Sequence, residues 1–221
     1  MWRDVALVAE RDLRIELRSR VATNQVAPFA LLVLVLFAFA LDPDSGVLRT
    51  ATPGLYWVVV LFSGVLAVGR SGSLDDADGI RDALRLSGLP PAALFLGKAL
   101  AVTAQLLVLE LVLIGAVTVL YDAPLDGFPL LAATCVAATL AVAATGVLYS
   151  ALVAGLRVRD TLLPLLLLPV LAPVLIGATR AFEAALGADG VDGWSWCGLV
   201  VIFAVVYIAA GYLAYGTLLE G

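Results

Sequence analysis

The chain contains no histidine, a single methionine at position 1 and a single lysine, Lys98, among 221 residues. Without imidazole or internal thioether there is no ordinary ligand set for zinc, copper or haem iron, so the chain alone is not expected to hold a metal. Charge is also scarce: only 14% of residues are Asp, Glu, Lys or Arg, against roughly a quarter in a typical soluble domain. The two cysteines, Cys135 and Cys197, lie in or beside apolar runs and offer neither a disulfide framework nor metal-ligand spacing, so they read as buried thiols. An intramembrane enzyme would need a nucleophile–base pair or metal ligands, and with no histidine and one acid inside a span this chain is poorly equipped. Basic patches of the kind that bind nucleic acid are lacking as well.

What the chain has instead is hydrophobicity, at 62% of residues. Apolar runs at 26–41, 55–69, 99–120, 128–156, 161–178 and 197–219 give six candidate membrane spans, each crossing roughly 30 Å of hydrocarbon. The fold expected is all-α and polytopic, as one membrane domain over 1–221. The first two runs are short and must borrow flanking residues, while the fourth is long enough to tilt or break. Residues 1–22 alternate arginines and acids with apolar positions at helical spacing and predict a helix lying in the interface. A signal-peptide reading of Ala38-Phe39-Ala40 is disfavoured by the unusually long segment before the apolar run, which carries four acids.

Basic residues fall on alternating sides of these spans. Arg3, Arg11, Arg14, Arg18 and Arg20 precede the first, Arg70, Arg81, Arg85 and Lys98 lie between the second and third, and Arg157 and Arg159 between the fourth and fifth; the other side has Arg49 and Arg180. The bias places both termini in the cytoplasm.

Three regions are candidates for function. Within a 70–98 cytoplasmic loop, Asp78 and Gly88 are a good N-cap and a good C′ residue for a short amphipathic helix, which Pro90-Pro91 stops. Glu110 is the only acid inside a span; such acids are functional candidates, the alternative being a protonated or hydrogen-bonded glutamate that glues helices. Pro164, Pro169 and Pro173 punctuate the fifth span and predict a kinked or mobile helix, followed by a 179–196 external connection with its own short helix at 181–186. Trp194 and Trp196 suit an outer interface. No phosphate loop ends at Gly97-Lys98, because positions 92 and 99 are alanine, and an EF-hand register fails with Leu74 and Arg85 at its terminal ligand positions.

On these residues the chain resembles the haem exporter protein B (CcmB) family. The likeness rests on Arg11–Arg18 (Arg-Asp-Leu-Arg-Ile-Glu-Leu-Arg), on Pro53-Gly54-Leu55-Tyr56-Trp57, and on Asp75-Asp76-Ala77-Asp78-Gly79 continuing through Leu84 to Leu89-Pro90 and Lys98. Its most specific part is Leu168-Pro169-Val170-Leu171-Ala172-Pro173-Val174-Leu175-Ile176, running into Ala178-Thr179. Gly69-Arg70-Ser71-Gly72-Ser73 departs from the bulkier entry expected before the loop.

The resemblance implies an ABC-2-type permease subunit of a cytochrome c maturation complex in the cytoplasmic membrane of a prokaryote. A separate ATP-binding-cassette ATPase would supply the energy, a haem-handling membrane subunit and a haem chaperone would be further partners, and two permease subunits would pair. The chain would bind no cofactor itself; ATP would be used by the partner and haem handled by the complex. Asp75, Asp76, Asp78, Gly79, Leu84 and Arg85 would couple to the ATPase together with the N-terminal helix, and 179–196 would face the haem-handling side. Pro164, Pro169, Pro173 and Glu110 would serve transport or conformational change, although Glu110 lies outside the family motifs. The rival reading is a permease of the same type exporting a lipid, polysaccharide or drug; a lipid carrier should show a larger, more polar groove.

Overall fold

A computed structural model of the chain describes residues 1–19, 25–41, 46–76, 88–121, 127–154, 156 and 158–220. Among them the secondary structure is helical: α1 (Trp2–Ser19), α2 (Ala27–Ala40), α3 (Val47–Asp76), α4 (Pro91–Leu120), α5 (Phe128–Leu152), α6 (Arg159–Ala185) and α7 (Gly193–Glu220). Five stretches, 47–72, 91–120, 128–152, 161–185 and 193–218, are long and apolar enough to cross a membrane. The chain is a polytopic α-helical membrane protein. The sixth apolar helix, α2, has 14 residues and spans only about 21 Å at 1.5 Å per residue, short of the hydrocarbon thickness.

Helix α5 is the hub, packed against α3, α4, α6 and α7. Its sequence explains the position: Ala132, Ala133, Ala137, Ala138, Ala141 and Ala144 keep the helix thin, so neighbouring backbones approach closely where lipid supplies no hydrophobic drive. Of its span 78% is buried, against 33% for α6 and 22% for α7, which therefore lie at the periphery with broad apolar faces turned outward. The hydroxyls of Thr103 and Thr145 donate to the carbonyls of Ala99 and Ala141, 2.7 Å away in each case, which satisfies them within their own helices. Helix α2 is held beside α4 by the Tyr121 hydroxyl, which donates to the Leu34 carbonyl at 2.8 Å.

Several boundaries differ from the expectations. The 70–98 connection is helical at both ends: α3 continues to Asp76 and α4 begins at Pro91, so Lys98 sits two turns inside α4 rather than in a loop. Pro91 suits that start, since its missing N–H falls in the first turn where no intrahelical partner exists. The expected helix over 78–88 lies outside the described residues apart from Gly88, whose φ of 69° is the left-handed conformation a C′ glycine adopts.

The fifth span is not interrupted. α6 runs unbroken for 27 residues through Pro164, Pro169 and Pro173, flanked by α3, α5 and α7. A proline removes one donor, and in a packed span neighbouring groups and local adjustment absorb the loss. The separate helix expected at 181–186 is the last turn and a half of α6, because nothing between Ala178 and Ala185 breaks the helix; the 179–196 connection shrinks to residues 186–192.

Candidate functional site

Two polar assemblies stand out in this apolar bundle. The first is a charged layer at the end where α1 docks. Helix α1 lies against the start of α4, with Val5 and Val8 buried. Gly97 makes the approach possible: a Cβ there would stand 2.6 Å from the Val8 Cβ and 2.9 Å from the Val5 carbonyl oxygen.

Two acids of α1, Asp12 and Glu16, point inward rather than toward solvent. Asp12 pairs with the Lys98 ammonium at 3.3 Å and with the Arg11 guanidinium at 3.3 Å, while Glu16 pairs with Arg70 of α3 at 3.3 Å. Lys98 is only 4% exposed, so its stem and charge are both drawn into the protein. A small cavity between α1, α3 and α4, lined in part by Asp12, Glu16, Ser71 and Gln105, continues this polar zone toward the bundle interior. Arg159, at the start of α6, closes the layer from the other side. Its guanidinium donates to the Gly69 carbonyl at 3.2 Å and to Ser150 Oγ at 3.0 Å, joining α3, α5 and α6. The space it fills exists because Gly72 has no side chain; a Cβ there would meet the guanidinium at 1.8 Å.

The second assembly is intramembrane. Glu110 of α4 is buried, and its Oε1 accepts a hydrogen bond from the Thr139 hydroxyl of α5. Cys135, one turn earlier on α5, lies 3.6 Å from the Tyr56 hydroxyl of α3. Tyr56 packs edge-on against Trp57 and Phe182 with ring centroids 5.3 and 4.9 Å apart, which anchors α6 to the same cluster. Both cysteines are buried free thiols, as their settings in the sequence imply.

At the opposite end, Gly127 N–H donates to the Ala185 carbonyl at 3.0 Å and joins α5 to α6. Asp192 caps α7, accepting from the Ser195 hydroxyl and backbone N–H. Those bonds hold its carboxyl below the usual aspartate range. Trp194 beside it is exposed and Trp196 half-buried. The groove between α5 and α7, about 490 Å³, is lined by Ala132, Val136, Leu140, Val201, Val205 and Ile208 among other apolar residues. This groove has an apolar lining, not the polar one expected of a lipid carrier.

The candidate residues are thus distributed rather than gathered. Asp75 and Asp76 belong to the last turn of α3, and Asp78, Gly79, Leu84 and Arg85 lie outside the described residues. Pro164, Pro169 and Pro173 lie along α6, and Glu110 sits on α4 within the intramembrane cluster. Sequence reading missed the inward-facing pair Asp12–Lys98, the Arg159 staple and the partners of Glu110. The one available signal was Lys98, a lone lysine at the edge of an apolar run.

The sequence model of the CcmB protein family matches residues 3–220. Among curated proteins, heme exporter protein B of Paracoccus denitrificans is 36% identical over 183 residues, covering 81% of this chain and 83% of its own. The Haemophilus influenzae protein of that name is 32% identical over 80% of both chains. That of Bradyrhizobium diazoefficiens is 29% identical over 96% of this chain and 98% of its own. With the match running from the docked N-terminal helix to the end of α7, the chain belongs to the CcmB protein family.

Proposed function

We propose that this chain is the membrane permease subunit of a haem-exporting ATP-binding-cassette complex that serves cytochrome c maturation. The observation that carries the reading is the family match over residues 3–220, which takes in the α1 dock, the charged layer and the full bundle. In this reading the termini and the charged layer are cytoplasmic, consistent with the basic residues gathered at that end. A partner ATPase grips α1 and the 77–87 segment between α3 and α4. ATP hydrolysis there moves the partner, and the movement enters the bundle through ties already made: Asp12–Lys98 and Glu16–Arg70 link α1 to α4 and α3, and Arg159 links α3 to α5 and α6.

The coupled event is haem delivery or release of a haem-loaded chaperone on the outer side, where the 186–192 connection and the α7 cap face the haem-handling subunit. The subunit pairs with a second copy. It performs no chemistry of its own; its role is to convert the ATPase cycle into a rearrangement of spans.

Substituting Asp78, Gly79 and Leu84 together is expected to lower recovery of the ATPase with the tagged permease about tenfold or more, while the permease still reaches the membrane in normal amount. A triple variant that retains the ATPase and supports normal cytochrome c maturation would refute the coupling role of this segment.

A further inference from the structure

Glu110 lies where α3, α4 and α5 meet and is 1% exposed. One oxygen, Oε1, accepts from Thr139; the other, Oε2, has no hydrogen-bond partner among the described residues. The titratable groups facing it are the Tyr56 hydroxyl from α3 and the Cys135 thiol from α5, and behind Tyr56 the α6 contribution is the Phe182 ring. Lys98, the one cation on α4, stands twelve residues earlier, about 18 Å along the axis, and is engaged by Asp12.

An ionised carboxylate at this depth would hold a full charge in a low-dielectric interior with one hydroxyl and the weakly donating Cys135 thiol to solvate it. The neutral acid has one O–H to place and no charge to stabilise, and interior carboxyls without cation partners are costly in any other form. The carbonyl oxygen of that acid is the one Thr139 reaches, which leaves Oε2 as the atom carrying the hydrogen.

We propose that Glu110 is an intramembrane proton-binding site, holding one proton on Oε2 at the junction of α3, α4 and α5. The ligand is a hydron taken up by the carboxylate, with no other bond made or broken. With it bound, Thr139, Glu110, Cys135 and Tyr56 form a neutral polar seam through three spans. Loss of the proton leaves a charge that must draw in water or a cation, and admitting either requires α4 and α5 to part at Thr139.

Infrared spectroscopy of the purified chain in an ester-free detergent at neutral pH tests this directly. The solvated acids are ionised there and do not absorb as protonated carboxyls. The wild type is expected to show a protonated carboxylic-acid carbonyl band that shifts in D2O, is lost in Glu110→Gln, and moves to higher wavenumber in Thr139→Val, where the hydrogen bond to Oε1 is removed. An empty region in the wild type, or a band unchanged by Glu110→Gln, would overturn the proposal. Should Glu110→Gln fail to fold, Thr139→Val decides alone: a band that stays in place refutes the assignment.

Discussion

Gly97→Val is expected to lift α1 from the bundle while leaving the five long spans assembled. A Cβ at residue 97 would already stand 2.6 Å from the Val8 Cβ and 2.9 Å from the Val5 carbonyl oxygen. The second contact is backbone, so no rotamer change relieves it, and α1 as a whole must move. Overpacking of this kind costs roughly 1–3 kcal/mol. Proteolysis of a docked segment follows the population of its open form, so trypsin cleavage at Arg11 in detergent or nanodiscs should accelerate about tenfold or more. Gly115→Ala, on the same helix with open space at the new Cβ, serves as the control and should leave cleavage unchanged. Equal protection of α1 in Gly97→Val and wild type would show that the dock is not held at this point.

Neutralising Asp12 should be strongly destabilising. Lys98 is 4% exposed by side chain and Asp12 13%, so their attraction is little screened and removing Asp12 takes a close counter-charge from a desolvated ammonium. For Asp12→Asn we expect a loss of about 3 kcal/mol in reversible denaturant unfolding, the range seen when one partner of a buried pair is removed. The exchange Asp12→Lys with Lys98→Asp should recover a substantial part. By contrast Arg14 and Glu10 are 72% and 54% exposed, and removing that pair should cost no more than about 0.5 kcal/mol. If the two pairs prove equally weak, the charged layer does not hold α1 to α4.

These two sites show why one part of the molecule was readable from sequence and another was not. The spans announce themselves because crossing hydrocarbon demands apolar residues in every turn, and the cores of α3, α4, α5, α6 and α7 fall inside the expected runs. Their ends do not, because hydropathy marks the membrane and not the helix. Arg70 and Gly72 look like loop residues, yet both lie within α3, where Arg70 pairs with Glu16 and Gly72 leaves room for the Arg159 guanidinium. At α6 the three prolines predicted a kinked or mobile helix, and the helix is continuous through all of them.

The same distinction governs the sites. Glu110 is conspicuous as the only acid within a span, whereas Thr139, Cys135 and Tyr56 are ordinary residues that become partners only when α3, α4 and α5 come together. Asp12 reads as one acid in an alternating surface pattern, and only the side of α1 that docks makes it a buried counter-ion. A period-3.6 pattern gives a helix face but not the neighbour it will meet.

The central claim, that this chain is a permease driven by another subunit, is tested most directly by purifying a tagged copy from its native membranes in nanodisc-forming polymer and identifying what accompanies it. An ATP-binding-cassette ATPase together with a haem-handling membrane protein, recovered in fixed ratio to the bait, is the predicted result. Recovery of the intact permease with no ATPase, under conditions where α1 remains resistant to trypsin, would contradict it.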